Sequence, residues 1–546
     1  MHYVVLSLVL LLAVALSGMV CRLLPLRLPL PLVQIAIGAL LGGPLGVEIP
    51  LDPQIFFLLF IPPLLFLDGW RIPKGAFVRD LRPILILAVG LVIFTVIGVG
   101  YFVHWLLPAM PAAVAFAVAA ILAPTDPVAV AAVRGDAPMP PRLKHVLEGE
   151  ALLNDASGLA CFRFAVLAVV TGSFSLSQTA LGFVWLAAAG VVIGTGVGFA
   201  CGYLLRWVGR VGSEDSGVQV LVSLLVPFAA YLAAEPLGAS GILAAASAGI
   251  ATQYVNLHGP ELSETRMQRA AVWKTVQDVL NGIIFVLLGE QLVRVFRADL
   301  VAARHSIVAS DWTLLLYILA IAAVLLALRF VWVSATMHLS HVRRDVKDLR
   351  TRLLLMTTAS VAGVRGAVTM AGVLSLPLLL PGGAPFPARH LAIVIAMGVI
   401  LVSLLLASIA LPRLVRSLPP MPHLADIGDE RSARVAAAQA AVQRLEELLG
   451  ELEQRLDSER EENEIALDAA GFVLQLYYRR LAGDGSVDDE RIWVLARAER
   501  DYQLAALAAE REKLFHLRFE RQIDDELHRK LLLEVDLLEA SLCTRD

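Results

Sequence analysis

The chain has 546 residues, 58% hydrophobic and 17% charged, with a mean hydropathy of +0.73 and a formal net charge of −4. That composition excludes an ordinary water-soluble globular protein and points to an all-α polytopic membrane protein. The small net charge gives no reason to expect a nucleic-acid partner, and the four scattered cysteines (Cys21, Cys161, Cys201, Cys543) suggest neither a disulfide framework nor a cysteine metal site.

Apolar runs of bilayer length fall at 3–20, 28–46, 54–70, 83–107, 111–133, 146–171, 180–205, 217–234, 238–254, 273–293, 311–337, 353–380 and 390–412. They predict about thirteen transmembrane helices. The first run, from Tyr3 to Leu16, has no basic leader and reads as a retained span. Odd-numbered loops are basic: Arg22 and Arg27; Arg71, Lys74, Arg79 and Arg82; Arg134, Arg142 and Lys144; Arg206 and Arg210; Arg266, Arg269 and Lys274; Arg343, Arg344, Lys347, Arg350 and Arg352. Even-numbered loops carry few cations apart from Arg294, Arg297, Arg304 and Arg389. The positive-inside rule then puts the N-terminus outside the plasma (inner) membrane and the C-terminus in the cytoplasm.

After Arg416 the composition changes. Leu418-Pro419-Pro420-Met421-Pro422 is a linker, and from about Glu430 the chain is rich in Ala, Leu, Glu, Arg and Gln. A glycine-containing break at Ala482–Ser486 divides this tail into two helical stretches. The division is therefore a membrane domain, 1–417, and a cytoplasmic helical regulatory domain, 418–546.

Polar groups inside the apolar runs carry the functional signal, because a charge at bilayer depth faces a pathway or a partner. The fifth run contains Pro124-Thr125-Asp126-Pro127. Two prolines break the helix ladder, and freed carbonyls are tolerated only beside a cavity or inside protein. Asp126 can offset a positive half-helix end, while Thr125 and freed carbonyls can coordinate a cation. The sixth run reads Glu148-Gly149-Glu150-Ala151-Leu152-Leu153-Asn154-Asp155. Asp155 lies at about mid-depth, where one carboxylate can hold either a proton or a small monovalent cation. Arg163, two turns further on, is the nearest cation to pair with it. Glu150 lies one turn before Asn154 and needs a cation from another helix, either Arg329 or Arg365. Arg365 sits in Gly363-Val364-Arg365-Gly366-Ala367, whose glycines permit an unwound backbone. The twelfth run is thereby the broken counterpart of the fifth, as in inverted repeats with two broken, crossing helices.

These three motifs, with Pro62-Pro63-Leu64-Leu65-Phe66 in the third run, resemble the signatures of the monovalent cation:proton antiporters of the sodium/proton exchanger (NhaP/NHE) type. The resemblance implies a thirteen-helix homodimer in membrane lipid with a dimerisation domain and a moving core, exchanging Na⁺ (or Li⁺ or K⁺) for H⁺. It implies that Asp155 binds the ion, with Asn154 beside it and Thr125 as a ligand, and that Glu150 and Arg329 form a structural bridge. It implies no cofactor. Two departures stand out: Ala151 takes a position where the family often has Ser, and Asp68 follows the third-run motif one residue late. Glu148 is an additional acid near the cytoplasmic mouth. Because Asn154 replaces a second carboxylate, exchange is expected to be one-for-one and electroneutral. A K⁺-selective exchanger of the same fold and a cation channel are the rival readings. No filter-like repeat favours the channel, and no nucleophile–base pair favours an enzyme.

Overall fold

The computed structural model describes residues 2–419 except 24–27, 48, 50–51, 73–76, 79, 135–138, 173–175, 212–215, 258–262, 307–310, 340–347 and 381–382, together with parts of 439–539. The basic cluster Arg343, Arg344 and Lys347, the tail's expected start near Glu430 and its break at 482–486 lie outside the described residues. The chain forms two compact units, Met1–Ala425 and Asp426–Asp546. Described segments of the second unit are helical, and Arg511 there bridges to Asp536 at 2.7 Å and to Glu539.

The described part of the first unit is helical, with one isolated bridge between Leu379 and Pro385 outside the helices. Helices α1 (His2–Leu23) and α2 (Leu30–Gly42) lead into a kinked pair, α3 (Pro53–Leu59) and α4 (Ile61–Arg71). The kink falls at Phe60, because Pro62 and Pro63 withhold the donors that Leu58 and Leu59 carbonyls need. Asp52 caps α3 by accepting from the Gln54 N–H at 2.8 Å. A π-helical turn at Ile86–Leu91 joins α5 (Leu81–Leu85) to α6 (Val92–Leu106). Then come α7 (Ala112–Leu122), α8 (Pro127–Arg134), α9 (Pro141–Thr171), α10 (Leu176–Val211), α11 (Ser216–Ala234), α12 (Gly241–Leu257), α13 (Ser263–Ser306) and α14 (Asp311–Leu339). The last three are α15 (Leu349–Val361), α16 (Ala367–Leu374) and α17 (Arg389–Arg416).

Among the described residues, nine helical stretches are long and apolar enough to cross a membrane. The other four expected spans are shorter or interrupted. They are α2 with 13 residues, α12 with 17, and the fifth and twelfth, each split into two short helices. The twelfth also stops at Leu374 rather than 380, just before Pro377, which has no amide to continue the ladder. Conversely α13, with 44 residues, far exceeds the apolar stretch 273–293.

Helix α17 is the centre of the unit. Every residue from Leu391 to Ile400 is buried, and the helix touches both halves of each broken span as well as α13 and α14. A helix apolar on all sides has no solvent face, so it belongs inside. Elsewhere backbones approach closely through small residues. Gly190, Gly194 and Gly198 of α10 form one stripe against Ser240, just before α12, and Ala244 and Ala248 of α12, where a Cβ would overlap the facing backbone. Gly196, on the same helix, has open space where its Cβ would stand.

That difference gives a matched pair of variants. Gly194→Val should lower thermal stability in detergent, by about 1–3 kcal/mol through overpacking. Gly196→Ala should leave it unchanged or raise it by up to about 1 kcal/mol. Equal effects from the two would mean that the α10–α12 contact is not set by the glycine stripe.

Candidate functional site

The site is built where the two interrupted spans meet. Residues 123–126 are non-helical between α7 and α8, and residues 363–366 between α15 and α16. Pro127 opens α8 at its first position, where a missing amide is harmless. Asp126 caps that helix, its Oδ1 accepting from the Ala129 N–H at 3.1 Å. The two unwound strands are joined directly, the Asp126 N–H donating to the Val364 carbonyl at 2.8 Å. Arg365 donates through Nε to the Leu122 carbonyl at 3.0 Å and through Nη1 to the Gly363 carbonyl. Leu122 ends α7, so a buried guanidinium sits at a negative helix end. At the other polarity, the Asp126 carboxylate lies against Gly366, which immediately precedes α16. A Cβ on Gly366 would overlap it. One acid thus stands at the positive ends of two half-helices, and glycine is the residue that admits it.

A cavity of ≈ 40 Å³ opens beside this crossing. Its oxygen donors come from Asp155 on α9, Thr125 and Asp126 at the first break, Asp68 on α4, Asn281 on α13 and Thr369 on α16. Ile61, Leu64, Leu65, Ile284 and Phe285 complete its wall. The volume is that of a few water-sized bodies at most, so a cation held here is largely stripped of its hydration shell. Among the described residues, no three His, Cys, Asp or Glu side chains converge as a metal-ligand set.

Asp155 and Asn154 are neighbours on α9 and so point about 100° apart. Asp155 faces the cavity, while Asn154 does not line it. The Asn154 Nδ2 donates to Thr125 Oγ1 at 2.9 Å, and Thr125 Oγ1 is 3.5 Å from Glu150 Oε1. The Asn154 Oδ1 is buried without a hydrogen-bond partner. Glu150 makes a bidentate bridge to Arg329 at 2.5 and 2.9 Å, with both side chains at most 3% exposed. The Arg329 Nε also donates to the Ala359 carbonyl at 3.0 Å. Of the two cations that sequence left open for Glu150, the structure pairs it with Arg329, while Arg365 serves the crossing.

Two outlying charges are placed elsewhere. Arg163 does not pair with Asp155: it turns to Glu235 beyond α11, at 3.5 Å, because two helical turns carry it away from mid-depth. Glu148 lies 3.8 Å from Lys144 on its own helix, half-exposed. Sequence reasoning passed over Asn281 and Thr369, ordinary polar residues in apolar runs. It also passed over Glu290, a buried carboxylate that accepts from the Ile49 N–H at 3.2 Å and from Gln291 Nε2 at 2.8 Å. The signal that singled out Glu150, an acid within an apolar run, was equally present in Gly289-Glu290-Gln291.

The Glu150–Arg329 bridge should behave as a unit. Glu150→Gln or Arg329→Gln alone strands a buried charge and should cost on the order of 3–5 kcal/mol. The double variant should cost clearly less than the sum. Strict additivity in a thermal-stability double-mutant cycle would argue that the pair is not energetically coupled.

A family model for the transmembrane sodium/hydrogen exchanger matches residues 8–417. An uncharacterized Na⁺/H⁺ exchanger of Escherichia coli (strain K12), YjcE, is 40% identical over 98% of both chains. A sodium, potassium, lithium and rubidium/H⁺ antiporter of Bacillus subtilis (strain 168) is 42% identical over 74% of this chain and 60% of its own. Among solved structures, the sodium proton antiporter MjNhaP1 from Methanocaldococcus jannaschii shares the fold. The TM-score is 0.57 at 16% identity, covering 76% of this chain and 99% of that one. The chain belongs to the sodium/hydrogen exchanger family and is a multi-pass membrane antiporter of monovalent cations and protons.

Proposed function

We propose that this antiporter exchanges Na⁺ for H⁺, one for one and without net charge movement, with Asp155 as the group that both substrates contest. The observation that carries this reading is the division of labour along α9. Asp155 faces the cavity, while Asn154 and Glu150 are engaged in hydrogen bonds and an ion pair behind it. Thr125 and Asp126 complete the ion's surroundings, with Asp68 at the far wall. Arg365 and Arg329 balance buried negative ends and charges. The alternating basic loops support an N-terminus outside the inner membrane and segment 418–546 as a cytoplasmic modulating domain, and membership of the family is the ground for reading the protein as a homodimer. The Bacillus relative, named for four cations, supports K⁺ and Li⁺ as further substrates.

Asp155→Asn should abolish proton-coupled Na⁺ flux in proteoliposomes while the protein remains folded, with its melting temperature within a few degrees of wild type. Near-normal flux in the purified variant would remove Asp155 from the mechanism. For the wild type, exchange rate and end-point should be the same with the membrane potential clamped at zero and at a large valinomycin-imposed value. One uncompensated charge per cycle would add about 2.3 kcal/mol per 100 mV. A strong voltage dependence would therefore require a second coupled acid, with Asp68 first in line.

A further inference from the structure

A second cavity, also of ≈ 40 Å³, reaches the same unwound segment from another direction. Both cavities are lined by Thr125, Asp126 and Pro127. Beyond that shared floor they differ in chemistry. The first is walled by Asp68 and Asn281 and by no Lys or Arg. The second runs between α8 and α9 past Arg134, Lys144 and Glu148. Its mouth is open, since the side chains of Lys144 and Glu148 are 49% and 41% exposed. Those residues lie where α8 ends and α9 begins, beside one of the basic loops.

A free Na⁺ gains nothing by entering a narrow passage rimmed by a guanidinium and an ammonium. A proton is not subject to the same exclusion, because it need not travel as an ion. It can be taken up by a carboxylate at the rim and passed through water to the next acceptor. Thr125 and Asp126 at one end, with Glu148, Lys144 and Arg134 at the other, give water in this space the polar partners it needs.

We propose that the cavity between α8 and α9 is a second access route that delivers protons, but not the cation, to the ion site, with Glu148 as the relay at its mouth. The proposal rests on the exchange reading given above, and it assigns the two substrates to separate paths. The cation uses the cavity lined by Asp68 and Asn281, and the two paths converge on the segment Thr125–Pro127. The charged or titratable groups that face Glu148 are Lys144 and His145 of its own helix, Arg134 of α8, and Arg71 and Asp68 of α4. Asp126 lies on the floor of the cavity that Glu148 helps to line. Glu148 is thus the acid at the mouth of this route, and Asp126 the acid at its inner end.

The test compares wild type, Glu148→Gln and Glu148→Asp in proteoliposomes. Exchange is measured at saturating Na⁺ across a pH series, and the Na⁺ KM is taken at fixed pH. Loss of the relay starves the site of protons where they are scarcest. Glu148→Gln should therefore lower the rate about tenfold at alkaline pH and move the half-maximal pH about one unit toward acid. The Na⁺ KM should stay within about twofold, as should the Na⁺-induced rise in melting temperature, a binding readout that needs no turnover. Glu148→Asp should restore most of the wild-type profile. An unchanged pH profile in Glu148→Gln would overturn the proposal, and so would a large shift in Na⁺ KM, which would put Glu148 on the cation's path. A wild-type protein that exchanges no Na⁺ for H⁺ would instead overturn the exchange reading itself.

Discussion

The rest of this site depends on the crossing of two unwound segments. Interrupting a helix at bilayer depth frees backbone groups that lipid cannot satisfy, at several kcal/mol each. Here each interruption helps to satisfy the other. The Asp126 amide bonds the Val364 carbonyl, and Arg365 reaches back to the carbonyl that ends α7. The charges follow the helix polarity, with a guanidinium at a carbonyl end and a carboxylate at amide ends. The small cavity lies directly beside this mutual repair. The buried helix α17 supports it from behind: Ser403 Oγ meets the Arg365 amide at 3.2 Å.

The second tier of the site is the brace formed by Glu150 and Arg329. It joins α9 to α14, and through Ala359 it reaches α15. Its reach extends to Thr125 and, through Thr125, to Asn154. The bridge therefore does more than neutralise two buried charges. It fixes the rotation of α9 about its axis, and with it the direction in which Asp155 points. A bidentate Arg–carboxylate pair suits this role, because its planar geometry admits little rotation.

Much of this was legible in the sequence, for a local reason. Proline, glycine and charge inside an apolar run are conspicuous one residue at a time. Pro124–Pro127, Gly363–Gly366, Glu150, Asp155 and Arg329 could therefore be singled out without knowing their neighbours. The features that sequence missed depend on helix rotation and on contacts between distant segments. Nothing local distinguishes Asn281 from any other polar residue on α13. The partner of Arg163 is Glu235, 72 residues away on the far side of α11. Span length misled in the same way. An apolar count cannot see that α13 continues far past its apolar centre, or that Pro377 ends the twelfth span early. The pairing of Asn154 with Thr125 was not legible either, since adjacent positions on a helix give no sign of which one faces the cavity.

The rotation of α9 also limits which charges are available for exchange. Of its three acids, Glu150 is tied to Arg329 and Glu148 lies toward the mouth, which leaves Asp155 at the cavity. Asp126 lines the cavity too, but one of its oxygens caps α8 and the group stands at the start of α16. Ionised, it matches two positive helix ends. Asp68 caps no helix in this way, and it comes from a different helix. It rides on α4, which packs tightly against α12 through Gly69 and Gly249, whereas Asp126 belongs to the crossing and Asp155 to α9. The cavity thus draws one acid from α4 and one from α9, Asp68 and Asp155, on either side of the capped Asp126. On the proposed one-for-one exchange Asp155 is the acid that both substrates contest, and Asp68, on the facing wall, is the acid that a second coupled charge would require.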